Sequence, residues 1–111
     1  MLRRWTELTK MEKIKKIESV LHRNNLQQDL YVELLGAMGD LKRNYGDYMI
    51  TEPINCDEEL GRVQDADYEL CTALLTMVLK EESLSEGAFE RRFSEGQVRL
   101  VLERMAEILR M

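Results

Sequence analysis

Between Asp67 and Glu82 the apolar residues Leu70, Cys71, Leu74, Leu75, Val78 and Leu79 recur at helical spacing. Adjacent pairs widen the apolar sector beyond the narrow seam of a coiled coil, so other elements must enclose this helix. It is predicted to start at a cap on Asp65 or Asp67, to end near Glu82, and to be the most buried helix of the fold. Every other segment has to supply its cover.

The rest of the chain is suited to that task. Hydrophobic residues at 44% can build a core and 33% charged residues can coat it, in one domain of 111 residues. Only Pro53 and six Gly interrupt helix formation. Aromatics are scarce, so the core rests on Leu, Ile, Val and seven Met.

Thr9 and Glu12 have capping-box spacing, and Met11, Ile14, Ile17 and Leu21 follow as an amphipathic stripe. Asn24 and Asn25 are read as the end of this first helix, and Asn25 with Gln28 as the start of the next. The second helix is expected to reach about Arg43, carrying Leu26, Leu30, Leu34, Leu35, Met38 and Leu41. Gly36 and Gly39 weaken it and are expected to let a neighbouring helix pack close.

Residues 44–55 break the pattern, with Tyr45, Tyr48, Met49 and Ile50 expected to pack back on the core. A helical turn can form over residues 57–63, and residues 48–51 are the only candidate strand. Beyond the long helix, Ser83 or Ser85 is read as starting a short one that carries Phe89 and Phe93 on one face. Gly96 ends it, and residues 97–109 form the last helix, with Val98, Val101, Leu102, Met105, Ile108 and Leu109 inward. The expected fold is all-α, a compact bundle-like domain of about five helices.

Charge is unevenly distributed. Residues 46–86 hold eleven acidic side chains against Arg62 and Lys80, a net −9 in a chain of net −5. The first 25 residues hold seven Lys/Arg against three Glu. An acidic band suits a basic partner surface, and Asp57, Glu58, Glu59, Asp65 and Asp67 are the candidate binding face. For nucleic acid the candidates are Lys13, Lys15 and Lys16, with Arg92 and Arg99 of the last two helices. Against that reading, Glu90, Glu95, Glu103 and Glu107 alternate with arginines, as in intrahelical pairing on a solvated face.

Catalytic chemistry finds little support. The single histidine, His22, suits the helix dipole at the end of the first helix. Cys71 lies on the apolar stripe as a core residue, and Cys56 stands among acids that disfavour a thiolate. Cys56, Cys71 and His22 lack the paired spacing of a zinc site. The acidic run at 57–59 lacks the glycine and terminal Glu of a calcium loop. No phosphate-binding glycine loop is present. No enzyme activity, metal or cofactor is expected. The N-terminal residues Met1-Leu2-Arg3-Arg4-Trp5 lack a signal peptide's apolar run, and no apolar stretch approaches 18 residues. Free thiols and a cytoplasmic location are the expectation.

From Asp67 to Met111 the chain resembles a family of small helical bacterial and phage domains of unknown function. The residues that carry the resemblance run from Asp67-Tyr68-Glu69-Leu70-Cys71 through Thr72-Ala73-Leu74-Leu75-Thr76-Met77-Val78-Leu79-Lys80-Glu81-Glu82. They continue with Ser85-Glu86-Gly87-Ala88-Phe89-Glu90-Arg91-Arg92-Phe93, Gly96-Gln97-Val98 and Glu103-Arg104-Met105. The resemblance implies a setting in mobile elements and no assigned activity. Joined to the acidic band, it leads to the expectation of a non-enzymatic inhibitor of a basic host nucleic-acid enzyme, such as a CRISPR effector. The alternative is a small DNA-binding regulator, and a homodimer remains open in either case.

Overall fold

A computed structural model describes residues 9–23 and 28–111. Among these the order is α1 (Lys10–Arg23), α2 (Gln28–Met38), a 3₁₀ turn (Tyr45–Tyr48), α3 (Cys56–Leu60), a second 3₁₀ turn (Val63–Asp65), α4 (Tyr68–Leu84), α5 (Ala88–Ser94) and α6 (Gln97–Arg110). The fold is all-α and bundle-like, with six helices rather than about five; the addition is the short α3. The expected Asn24–Asn25 turn, Leu26 and the N-terminal segment lie outside the described residues.

The broad apolar stripe does what its width requires. All nine residues from Cys71 to Leu79 are buried, and α4 packs against α2, α3, α5 and α6. Burying one Leu or Val side chain stabilises by about 1.5–3 kcal/mol, so this helix is the main source of the core. Its two buried hydroxyls are satisfied locally: Thr72 donates to the Glu69 carbonyl and Thr76 to the Thr72 carbonyl, each at 2.8 Å. Asp67 is the cap, its carboxylate accepting from the Leu70 N–H at 2.8 Å.

Against this centre α6 lays Val98, Val101, Leu102, Met105, Ala106 and Leu109, and α1 packs along α6 through Ile14, Ile17 and Val20. The capping box of α1 forms, with Glu12 N–H donating to Thr9 Oγ1 at 3.2 Å and Thr9 N–H to the Glu12 carboxylate at 3.0 Å. Met11, by contrast, is exposed rather than part of the inward stripe. It sits in the first turn of α1.

The second helix stops at Met38, five residues short of the expected end. Gly39 adopts φ +73°, where Asp40 N–H reaches the Leu35 carbonyl at 2.9 Å and Gly39 N–H the Gly36 carbonyl at 3.1 Å. This is a Schellman termination, so Gly39 ends the helix instead of admitting a neighbour. A Cβ on Gly36 meets nothing within 4 Å, so close approach is not the reason for that glycine either.

The short helix α5 begins at Ala88 after Gly87 at φ +85°, whereas Ser85 ends α4. Phe89 and Phe93 pack on Tyr31 of α2, with ring centroids at 5.4 and 6.4 Å. They anchor α5 as expected from their spacing. The candidate strand at 48–51 does not form, because that stretch makes a 3₁₀ turn and a loop instead. Tyr45 and Met49 pack on the core, but Ile50 is exposed.

Candidate interaction surface

The acidic band folds around two interior charges. The first is Glu59, on the inner face of α3. That helix is started by Asn55, whose side chain accepts from the Glu58 N–H at 3.1 Å. Glu59 is 0% exposed and its carboxylate accepts from Ile50 N–H at 2.9 Å, Thr51 N–H at 2.7 Å, the Thr51 hydroxyl, and Arg62 Nη1 at 2.7 Å. Arg62 also donates to the Tyr48 carbonyl at 3.0 Å. Burial pushes the carboxyl up, but the hydrogen bonds from Thr51, Arg62 and Ile50 outweigh it and hold Glu59 below the usual carboxylate value. Glu59 is therefore an internal latch for the 49–55 loop and leaves the expected binding face.

The second is Arg92 of α5, 3% exposed. Its Nε and Nη2 make a two-pronged pair with Glu81 of α4 at 3.0 and 2.9 Å. Its Nη1 donates to Asp57 of α3 and, at 3.0 Å, to Gln97 at the start of α6. One guanidinium thus joins four helices. Arg92 cannot serve as a nucleic-acid contact in this fold, because its donors are spent inside the protein. The same pairing lowers the carboxyls of Glu81 and Asp57.

The thiols follow from this packing. Both cysteines are free. Burial, followed by neighbouring Glu81, pushes the Cys56 thiol up to about 11. Burial pushes Cys71 to about 12. Both shifts favour the neutral thiol over the thiolate at neutral pH.

Among the other face residues, Glu58 and Asp65 are exposed and have no ion-pair partner among the described residues. Asp57 keeps most of its side chain in solvent while paired to Arg92. Asp67 is exposed but spends one oxygen on the α4 cap. Glu69 pairs with Lys42, and Glu82 accepts from the Gly87 and Phe89 N–H groups at 3.0 and 2.9 Å, fixing the start of α5.

The expected basic residues are not gathered into one site. Lys13 pairs with Asp40 at 3.0 Å and lies over the Tyr68 ring, while Tyr68 donates to the same Asp40. Lys15 and Lys16 are exposed on α1. Arg99 pairs with Glu103 at 3.1 Å and Arg104 with Glu107 at 2.6 Å, the expected intrahelical pattern; Arg110 pairs with Glu18 of α1.

A cleft of about 340 Å³ between α1 and α6 contains His22 beside the Arg99–Glu103 and Arg110–Glu18 pairs. No thiol or hydroxyl nucleophile lines it. Among the described residues no three His, Cys, Asp or Glu side chains are grouped to hold a metal ion, and no helix is long and apolar enough to cross a membrane.

The surface feature missed from sequence is the 49–55 loop. Ile50 is 73% exposed and Ile54 41% exposed, on a segment tied inward by Glu59. Nothing in local periodicity distinguishes these isoleucines from core residues, since the tie runs to a carboxylate eight or nine positions away.

No curated protein and no solved structure matches the chain. Residues 32–111 match DUF6508, a family of unknown function. The matched span starts well before the Asp67 at which the sequence resemblance begins, and it includes both interior charges, the loop and α3 to α6. The chain belongs to the DUF6508 family of unknown function.

Proposed function

We propose that this domain is a non-enzymatic protein-binding module of a phage or other mobile element, acting in the cytoplasm on a basic nucleic-acid-binding protein of its host. The observation that carries the reading is what remains of the acidic band after internal pairing. Arg62 is consumed by Glu59, and Arg92 by Glu81 and Asp57. Asp47, Glu52, Glu58, Asp65 and Glu86 are left on the surface without a cation among the described residues. Such a surface is repelled by nucleic acid and attracted to grooves built to hold it, as in a CRISPR effector. The domain acts there as a competitive inhibitor.

The test is cleavage of target DNA by guide-loaded CRISPR nucleases at rising concentrations of this protein, with affinity measured across salt. Inhibition that weakens with salt, and falls at least tenfold in the Glu58→Lys/Asp65→Lys variant, is expected. Inhibition insensitive to both, or none in any nuclease, defeats the reading.

The second reading is a small DNA-binding regulator. It is favoured by Lys15 and Lys16, which stay exposed on α1 while Arg92 is withdrawn. Its signature is a salt-sensitive mobility shift of duplex DNA that Lys15→Gln/Lys16→Gln abolishes.

A further inference from the structure

We infer that the 49–55 loop is a rigid apolar anchor, and that it docks a basic amphipathic segment of a protein partner; this deepens the acidic-module reading and rests on it. Two aliphatic side chains, Ile50 and Ile54, stand in solvent on one short loop. Their exposure is not the result of a loose chain. Both N–H groups at positions 50 and 51 are drawn inward by the buried Glu59 carboxylate, and Thr51 adds its hydroxyl. The far end is closed by Asn55 N–H donating to Thr51 Oγ1 at 2.8 Å, and Asn55 is itself fixed as the cap of α3.

With its N–H held inward, the Ile50 side chain stands in solvent instead of joining the core. A loop already ordered loses little further entropy on binding, which favours its use as an anchor. The charge around it selects the partner. Glu52 lies between the isoleucines in sequence, and Glu58 follows four residues after Ile54 on α3, both exposed. An apolar tip with an acidic border complements a surface that is apolar at its centre and basic at its rim.

The probes are two synthetic peptides of equal length and charge with Lys at the same positions, one carrying Leu at helical spacing (steps of three and four) along one face, the other Ser at those positions. Binding to the full chain is measured by calorimetry, and the location by amide shifts in NMR spectra. The Leu peptide is expected to bind at least tenfold more tightly, with shifts centred on residues 50–54. The Ile50→Ser/Ile54→Ser variant, which changes only exposed side chains, should remove that advantage and leave the Ser peptide unaffected. Equal affinity for the two peptides, or an advantage that survives the isoleucine changes, overturns the anchor and spares the acidic-module reading. If Glu58→Lys/Asp65→Lys weakens neither peptide, the acidic reading itself fails and the inference falls with it.

Discussion

Glu59 and Arg92 are both charged and both buried, yet they are held by opposite strategies. Glu59 is neutralised mostly by the backbone and hydroxyl of a loop eight or nine residues away, with Arg62 as its one ionic partner among the described residues. Arg92 is neutralised by two carboxylates from different helices. The Glu59 corner therefore organises a loop, whereas the Arg92 corner organises the packing of α3, α4, α5 and α6. A buried charge whose partner is removed is costly, so the consequences of breaking each corner should differ in size and in kind.

The largest effect is expected at the helix junction. Arg92→Ala leaves Glu81 nearly buried without its two-pronged partner. A loss of about 3–5 kcal/mol in urea unfolding is expected. Arg92→Lys should recover only part of it, because an ammonium cannot reproduce the planar fork. A loss within 1 kcal/mol in Arg92→Ala would show that the junction is not held by this charge.

Glu59→Gln should cost less, about 1–3 kcal/mol, since the amide keeps the shape but loses charged acceptance. It should also be pH-dependent. Glu59 has a folded-state pKa below its ordinary 4.5, so its contribution is complete above that value. The gap between wild type and variant should then shrink as pH falls below 4.5 through the depressed folded value. Amide exchange should accelerate in residues 49–55 and not in α5. Equal acceleration in both places would erase the distinction between the corners.

Gly36 within α2 and Gly39 just past its end offer a smaller control that involves no charge. Gly39→Ala forces a side chain into φ +73° and should destabilise by about 1–2 kcal/mol. Gly36→Ala, with open space at the Cβ, should stabilise by about 0.5–1 kcal/mol. Thermal melts read both, and the same sign at the two sites would refute the Schellman assignment.

The smallest expected stability change belongs to the exposed acids. Glu58→Lys/Asp65→Lys should shift stability by no more than about 0.5 kcal/mol. A larger loss in urea unfolding would mean that these residues, like Glu59, are internal in their effect.

Much of the fold is legible in the residues themselves. Thr9 and Glu12, Asp67, Phe89 with Phe93, and Gly96 act where their spacing places them. The site is less so. In the 57–59 run, Asp57, Glu58 and Glu59 read alike as chemistry, but one pairs with Arg92, one is exposed and one is inside. Arg91 and Arg92 are equally alike, and only the second is enclosed.

The sequence by itself determined which segments are helical, which of them is central, and that the domain carries an acidic excess. Those properties depend on composition and on neighbours three or four residues apart, which every helix brings together in the same way. Tertiary structure alone decided which charges are spent inside and that Ile50 faces solvent. Arg92 meets Glu81 eleven residues away and Asp57 thirty-five away, and such meetings arise only once the helices pack.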